Sequence, residues 1–343
     1  MCDRELLAEL CMARGISGDE YYVRHIIERE ILEHATDIKT DALGNLIVFK
    51  KGKKTPSHKL MISAHMDEVG FIVTNVTSDG YIKFAPVGGI DRRVIFGKSV
   101  KIGNREVSGV VCVTPIHCCS DDERANIPDI SDMYIDIGAD NSQDALSVVS
   151  LGDSITFDTD VFLTDKTIMA RAIDDRAGCA IMCNMIKSDL EYDMYFTFVV
   201  QEEVGLRGAK VAAYTVNPDF ALVIESTTAS DLPDIPYESQ VCNLGDGAVI
   251  SFMDRSTIYD KELYNLSFKL AKENNIKLQT KRAVAGGNDS GIIHTTRAGV
   301  RTLAISIPCR YLHSGTSIIS LDDLDSANDI VTLCANKICS GAL

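Results

Sequence analysis

Short apolar runs that stop abruptly on a histidine or a carboxylate recur along this chain, and they restrict its fold more than any other feature. Leu60–Ala64 runs into His65, Tyr195–Val200 into Gln201, Glu202 and Glu203, and Phe220–Ile224 into Glu225, while Leu303–Ile307 leads on to His313. Runs this brief fit strands covered on both faces better than they fit helices. Around them lie helical patterns at Ala177–Ser188, Ala209–Ala213, Lys261–Asn274 and Leu321–Cys339, with a further helix starting in Gly291–Thr296. The alternation predicts an open α/β sheet, a class that builds its sites at the carboxyl ends of its strands.

The chain opens with apolar positions at helical spacing, Leu6, Leu7 and Leu10, then Val23, Ile26, Ile27 and Ile31, ahead of the strand-like Leu46–Phe49. From Glu68 to Phe157 the texture changes to short β-rich pieces, such as Phe71–Val73, Tyr81–Phe84 and Val110–Val113, punctuated by glycines. The expected organisation is an α/β unit formed by residues 1–67 and 161–343, interrupted by a β-rich unit over residues 68–160. A length of 343 residues, 45% of them apolar, is enough for two cores.

Charge narrows the function classes. With 49 acidic against 34 basic residues the net charge is -15, which argues against nucleic-acid partners and against a polybasic membrane surface. No stretch approaches the roughly 18 apolar residues of a membrane span. The segment MCDRELLAEL carries Asp3, Arg4 and Glu5 where a secretory leader would be apolar, so a cytoplasmic location is expected. Eleven cysteines, odd in number and without a C-x-x-C pair, read as reduced, buried small residues.

The residues at the strand ends suit metal binding and proton transfer. Alternation places His65 and Asp67 on one side, so that a carboxylate can hold an imidazole whose other nitrogen binds metal; a structural core histidine is the simpler account. Of Asp174 and Asp175, just ahead of a helix, one is expected to cap it and the other to be free to bridge metals. Adjacent Glu202 and Glu203 point differently, so that one can bind metal while the other works as a base, or both are merely solvated. Glu225, after a buried run, must be paired, metal-bound or exposed. With His313, these form a mixed nitrogen and oxygen set suited to Zn²⁺, Co²⁺ or Mn²⁺.

Four motifs in this order, Ala64-His65-Met66-Asp67-Glu68-Val69-Gly70, Asp174-Asp175-Arg176-Ala177-Gly178, Glu202-Glu203-Val204-Gly205-Leu206-Arg207-Gly208-Ala209 and Arg310-Tyr311-Leu312-His313-Ser314, resemble those of the M42 family of metallo-aminopeptidases. The resemblance spans nearly the whole chain. It implies a zinc-peptidase-like α/β catalytic domain with a mixed central sheet, carrying an inserted small β-barrel-like domain that makes dimer contacts, the dimers often assembling into a hollow dodecamer. It further implies two divalent metal ions per chain: Asp174 bridging them, His65 and Glu225 completing one site, Glu203 and His313 the other. Glu202 would be the general base, activating a water held between the metals and then protonating the leaving amine, and Asp67 would orient His65. Peptides with a free N-terminus would be the substrates. Many family members carry aspartate at the position of Glu225, a departure that bears on metal spacing. Asp289, in Gly286-Gly287-Asn288-Asp289-Ser290-Gly291, matches another family motif, and a helix N-cap accounts for it equally well.

Two other readings compete. A glycoside hydrolase would use paired carboxylates, but the chain has no Trp and 6% aromatics for stacking on sugars, and that chemistry gives the two histidines no role. A metal-bound, inactive scaffold would have no need of Glu202 beside Glu203.

Overall fold

The computed structural model describes residues 2–342. Helices α1 (Arg4–Met12) and α2 (Tyr21–Ile31) precede strands β1 (Asp37–Thr40), β2 (Leu46–Lys50) and β3 (Leu60–His65). Six strands then close a barrel: β4 (Gly70–Val76), β5 (Ile82–Val87), β6 (Ser99–Ile102), β7 (Val107–Cys112), β8 (Tyr134–Asp136) and β9 (Ser154–Phe157), in the order β4-β5-β8-β7-β6-β9. Helices α3 (Asp121–Ala125) and α4 (Ser142–Val148) sit on its connections. Strands β10 (Phe162–Leu163) and β11 (Thr167–Ala170) lead into α5 (Ile173–Lys187), β12 (Met194–Val199), α6 (Arg207–Val216) and β13 (Phe220–Thr228). The chain closes with β14 (Ala248–Ile250), α7 (Lys261–Glu273), β15 (Leu278–Thr280), α8 (Ser290–Ile293), β16 (Arg301–Cys309), β17 (Ser317–Ser320) and α9 (Leu321–Cys339).

The main sheet has eight strands in the order β1-β2-β12-β3-β13-β16-β14-β15. Its middle strands, β12, β3, β13 and β16, run parallel to one another, whereas β2 and β14 pair antiparallel to their inner neighbours. The sheet is therefore mixed, and its parallel centre delivers four strand ends to one edge. Alternate residues explain why these strands read as unbroken apolar runs. Leu60, Ile62 and Ala64 join the large core beneath α1, α2, α5 and α9. Met61 faces the other way, packing with Val199, Ala221 and Val223 against Ala209 and Ala212 of α6. Both faces are covered, as a parallel sheet requires.

The barrel has its own core, in which Phe71 meets Phe84 and Phe157 edge-on at centroid distances of 5.0 and 5.4 Å. Two sequence expectations need correction. The run Phe220–Ile224 does not end the strand: β13 continues to Thr228 because every residue of it pairs in register with β16, so Glu225 lies within the strand. Burial also fails for three cysteines: Cys118 is exposed and Cys112 and Cys119 are half-buried, since all three lie on the small barrel unit, where little interior is available. All eleven thiols are unpaired.

A charged cluster ties the N-terminal helices to the sheet. Arg176 has no exposed surface; its Nη1 donates to the carbonyl oxygens of Leu10 and Ala13 at 2.6 and 3.1 Å. Buried Glu68 accepts from Arg171 and lies 3.5 Å from Arg176 Nη2, while Arg171 also donates to the carbonyl of Met12 at 2.7 Å. Removing the carboxylate leaves two guanidinium groups uncompensated in the interior. Glu68→Ala should therefore cost about 3–5 kcal/mol in a denaturant titration. A loss of only about 1 kcal/mol or less, the range of a surface pair, would contradict this account.

Candidate metal centre

The four parallel strand ends and the start of α5 bring together every residue expected to bind metal or move protons. His65 is the last residue of β3 and Asp67 follows it; Glu202 and Glu203 follow β12; Glu225 lies in β13; His313 follows β16. Asp174 and Asp175 stand at the start of α5, where their dihedral angles are non-helical, and the peptide joining them is cis. Regular helix begins at Arg176. Asp175 performs the capping role expected of one of the pair, accepting from the Gly178 amide at 3.0 Å, which leaves Asp174 free to face the centre. The backbone is held in the left-handed region at Ala172, Gln201, Leu206, Tyr311 and His313, non-glycine positions that border the site. Such strain, of order 1–3 kcal/mol each, persists where the surrounding structure over-determines it and clusters at functional sites.

Both imidazoles are oriented by main-chain carbonyls. His65 Nδ1 donates to the carbonyl of Asp67 at 2.9 Å, and His313 Nδ1 to the carbonyl of Gly89 at 3.0 Å. Each Nε2 is thereby turned toward carboxylates. His65 Nε2 lies 3.6 Å from Asp174 Oδ1 and 3.8 Å from Glu225 Oε2, and His313 Nε2 lies 3.2 Å from Asp174 Oδ2 and 3.1 Å from Glu203 Oε1. The Asp67 carboxylate is 3.6 Å from His65 Nδ1, farther than the main-chain oxygen. Its nearer partners are the amides of Glu202 and Glu203, at 3.0 and 3.1 Å, and Ser17 Oγ at 2.6 Å. Asp67 thus clamps the turn that presents the two glutamates.

The electrostatics of this arrangement favour positive charge at its centre. Burial pushes Glu202 and Glu225 well above the usual carboxylate range and raises Glu203. Burial also opposes charge on His65, yet the neighbouring carboxylates of Asp174, Asp67, Glu225 and Glu202 raise it well above an ordinary imidazole. His313 follows the same pattern: burial disfavours its charge, but Asp174 and Glu203 push it up to about 11. Asp174, despite its burial, is held below its usual value by the two imidazoles. The carboxylates thus favour positive charge beside them, a need that divalent cations held through the imidazole lone pairs would also meet.

Donor atoms of His65, Asp174 and Glu225 lie within 4.8 Å of one another, as do those of Asp174, Glu203 and His313. Asp174 belongs to both groups. Glu225, though longer than aspartate, brings Oε2 into the first, and its Oε1 is buried without a partner. A third grouping joins His65 and Glu203, one from each of the first two, to Glu202, which neither of those contains.

Asp289 departs from the capping account. It occupies the position before α8, but its own angles are helical rather than extended, so its carboxylate cannot fold back on the helix amides. Both of its oxygens are buried without a partner, and burial pushes its pKa up to about 7. Sequence reading missed Ser17 and Gly89, for neither belongs to a strand-end run. It also passed over Lys281, which lines the cleft beside the two groups; a lone lysine after a short polar strand carries no periodic signal. Among the described residues no Phe, Tyr or Trp lines that cleft.

A mixed sheet, a closed barrel and two groups of candidate metal ligands sharing Asp174 are the features of a metal-dependent α/β hydrolase. The profile of the family described as M42 glutamyl aminopeptidase matches residues 44–330. A putative aminopeptidase of Acetivibrio thermocellus is 40% identical over 98% of each chain, and a lysyl aminopeptidase of Pyrococcus furiosus is 29% identical over 95% of this chain and 94% of its own. The solved TET1 peptidase of Pyrococcus horikoshii, described as assembling into a tetrahedron or a large octahedral shell, superposes with a TM-score of 0.85 at 34% identity, covering 96% of this chain and 98% of that one. The chain belongs to the M42 family and is a peptide hydrolase of the aminopeptidase type.

A site built this way should couple cations to folding. After exhaustive chelation, adding Zn²⁺, Co²⁺ or Mn²⁺ at about a thousand times its dissociation constant should stabilise the fold by about 4 kcal/mol, read as a higher melting temperature. An unchanged melting temperature with all three would contradict the assignment.

Proposed function

We propose that the chain removes single residues from the N-termini of peptides with two divalent cations, one held by His65, Asp174 and Glu225 and the other by Asp174, Glu203 and His313. One observation carries this reading: the two oxygens of Asp174 face different imidazoles, Oδ1 toward His65 and Oδ2 toward His313, as a bridging carboxylate would. Divalent cations held by these residues would supply polarisation of the scissile carbonyl and a lower pKa, toward about 7, for an attacking water.

The chain's own groups do the rest. Glu202, which lines the cleft but belongs to neither group that shares Asp174, takes the proton of the attacking water and returns it to the leaving amine. Asp67 positions Glu202 and Glu203 through their amides. The carbonyls of Asp67 and Gly89 keep the imidazoles aimed inward. The substrate's free α-amine sits against this negatively lined centre, which favours N-termini over internal bonds.

In this reading, residues 1–67 and 161–343 form the catalytic unit, and residues 68–160 an inserted unit used for dimer contacts within a homo-oligomer. Support comes from apolar side chains that unit leaves exposed, Ile116 at 72% and Leu151 at 61% among them. The eleven unpaired thiols favour the cytoplasm. No helix among the described residues is long and apolar enough to cross a membrane.

Glu202→Gln should retain its cations, measured by elemental analysis, while turnover falls at least about 100-fold. His313→Ala should lose bound metal as well. A Glu202→Gln enzyme of normal turnover would sink the base assignment, and a metal-loaded wild type that cleaves no peptide would favour a scaffold.

A further inference from the structure

His313 lies on the walls of three cavities. The first, of about 440 Å³, is also lined by His65, Asp174, Glu202 and Glu225. The second, of about 10 Å³ against Asp174 and Glu203, has room for about one water at most. The third, of about 610 Å³, shares Leu312 and His313 with the first. Its walls come from segments far apart in the chain. Gly89, Asp91, Val94 and Lys98 belong to the barrel's connection between β5 and β6, and residues 311–316 to the connection between β16 and β17. The hydrogen bond from His313 Nδ1 to the Gly89 carbonyl, at 3.0 Å, joins the two walls.

This arrangement divides a peptide in two. The first cavity holds Glu202 and donors of both candidate ligand groups, so the N-terminal residue and the scissile carbonyl lie there. The chain beyond the scissile bond needs a second space that starts from the same ligands, and of the other two cavities only the third can hold it. The charges of that cavity are unequal. Asp91, the one acid in its lining, is paired with Arg93, whose Nε donates to it at 2.8 Å, and the neighbouring Arg92 is paired with Asp129. Lys98 is exposed and has no ion pair or side-chain hydrogen bond among the described residues. Half-buried Val94 and Leu312 and the exposed Tyr311 ring offer apolar surface in the same lining.

We propose that this cavity between barrel and sheet receives the residue that follows the scissile bond, and that Lys98 selects for a carboxylate there, borne by an acidic side chain at the second position or by the free C-terminus of a dipeptide. Resting on the two-cation reading of the adjoining centre, this selectivity concerns the leaving part of the peptide and is independent of the N-terminal side chain. A cationic second residue would meet Lys98 with like charge. Because Lys98 is exposed, the preference is modest and is screened by salt.

The test holds the N-terminal residue constant, as leucine, glutamate and lysine in turn. The kcat/KM of the metal-reloaded full chain is compared on amidated dipeptides whose second residue is Glu, Ala or Lys, and on the dipeptide ending in Ala with a free carboxylate. At low ionic strength the wild type should prefer Glu to Ala and Ala to Lys by about 2- to 5-fold per step, the size of an exposed ion pair, and about 1 M salt should flatten the ranking. The free Ala dipeptide should exceed its amide by a similar factor. A gain confined to the Glu peptide assigns the carboxylate to the side chain, and one confined to the free dipeptide assigns it to the C-terminus. No gain from either overturns the proposal. Lys98→Arg should keep the preference, Lys98→Met should remove it and Lys98→Glu should reverse it; a preference unchanged in Lys98→Met also overturns it. If no peptide is cleaved, it is the catalytic reading that fails. Calorimetry with the same uncleaved peptides then decides the cavity: tighter binding of a carboxylate-bearing peptide, lost in Lys98→Met, supports it, and equal binding of all overturns it.

Discussion

Buried negative charge is the constraint around which this fold is arranged. Asp174, Glu203 and Glu225 are drawn into a common space with Glu202, Asp67 and Asp289 close by, and burial raises the cost of ionising most of them. Carboxylates do not gather in this way unless something positive holds them. Two imidazoles, turned inward by the carbonyls of Asp67 and Gly89, meet that demand in part. The parallel centre of the sheet enforces the gathering, because β12, β3, β13 and β16 deliver their ends to one edge.

Rigidity comes from below the site. Glu68, next to the Asp67 clamp, fixes Arg171 and Arg176, and these in turn hold the carbonyls that end α1. The barrel is more than an appendage, since its loop after β5 supplies the Gly89 carbonyl that orients His313. An insertion within the sequence thereby reaches the centre of the α/β unit.

Much of this was legible in the sequence because burial on both sheet faces writes itself as apolar runs, and a polar residue that breaks such a run is conspicuous. His65 and the Glu202-Glu203 pair were visible for that reason, and α9 matches its pattern from Leu321 to Cys339. Glu225 was found, but the strand's extension past it was not: Ser226, Thr227 and Thr228 look like a turn, and only pairing with β16 keeps them extended. The roles of Ser17 and Gly89 depend on contacts between segments far apart in the chain, which local periodicity does not encode. Asp289 resembled a cap because aspartate before a helix usually is one; its helical backbone angles removed that role.

The central claim is metal-dependent release of residues from free N-termini. Short peptides with free or acetylated N-termini, incubated with chelated and with cation-reloaded protein, test it most directly, the products being identified by mass spectrometry. The account predicts stepwise loss of single residues from the free peptides, only after cations are restored, and none from the acetylated ones. Cleavage of acetylated peptides at the same rate, or cleavage that survives complete chelation, would contradict it.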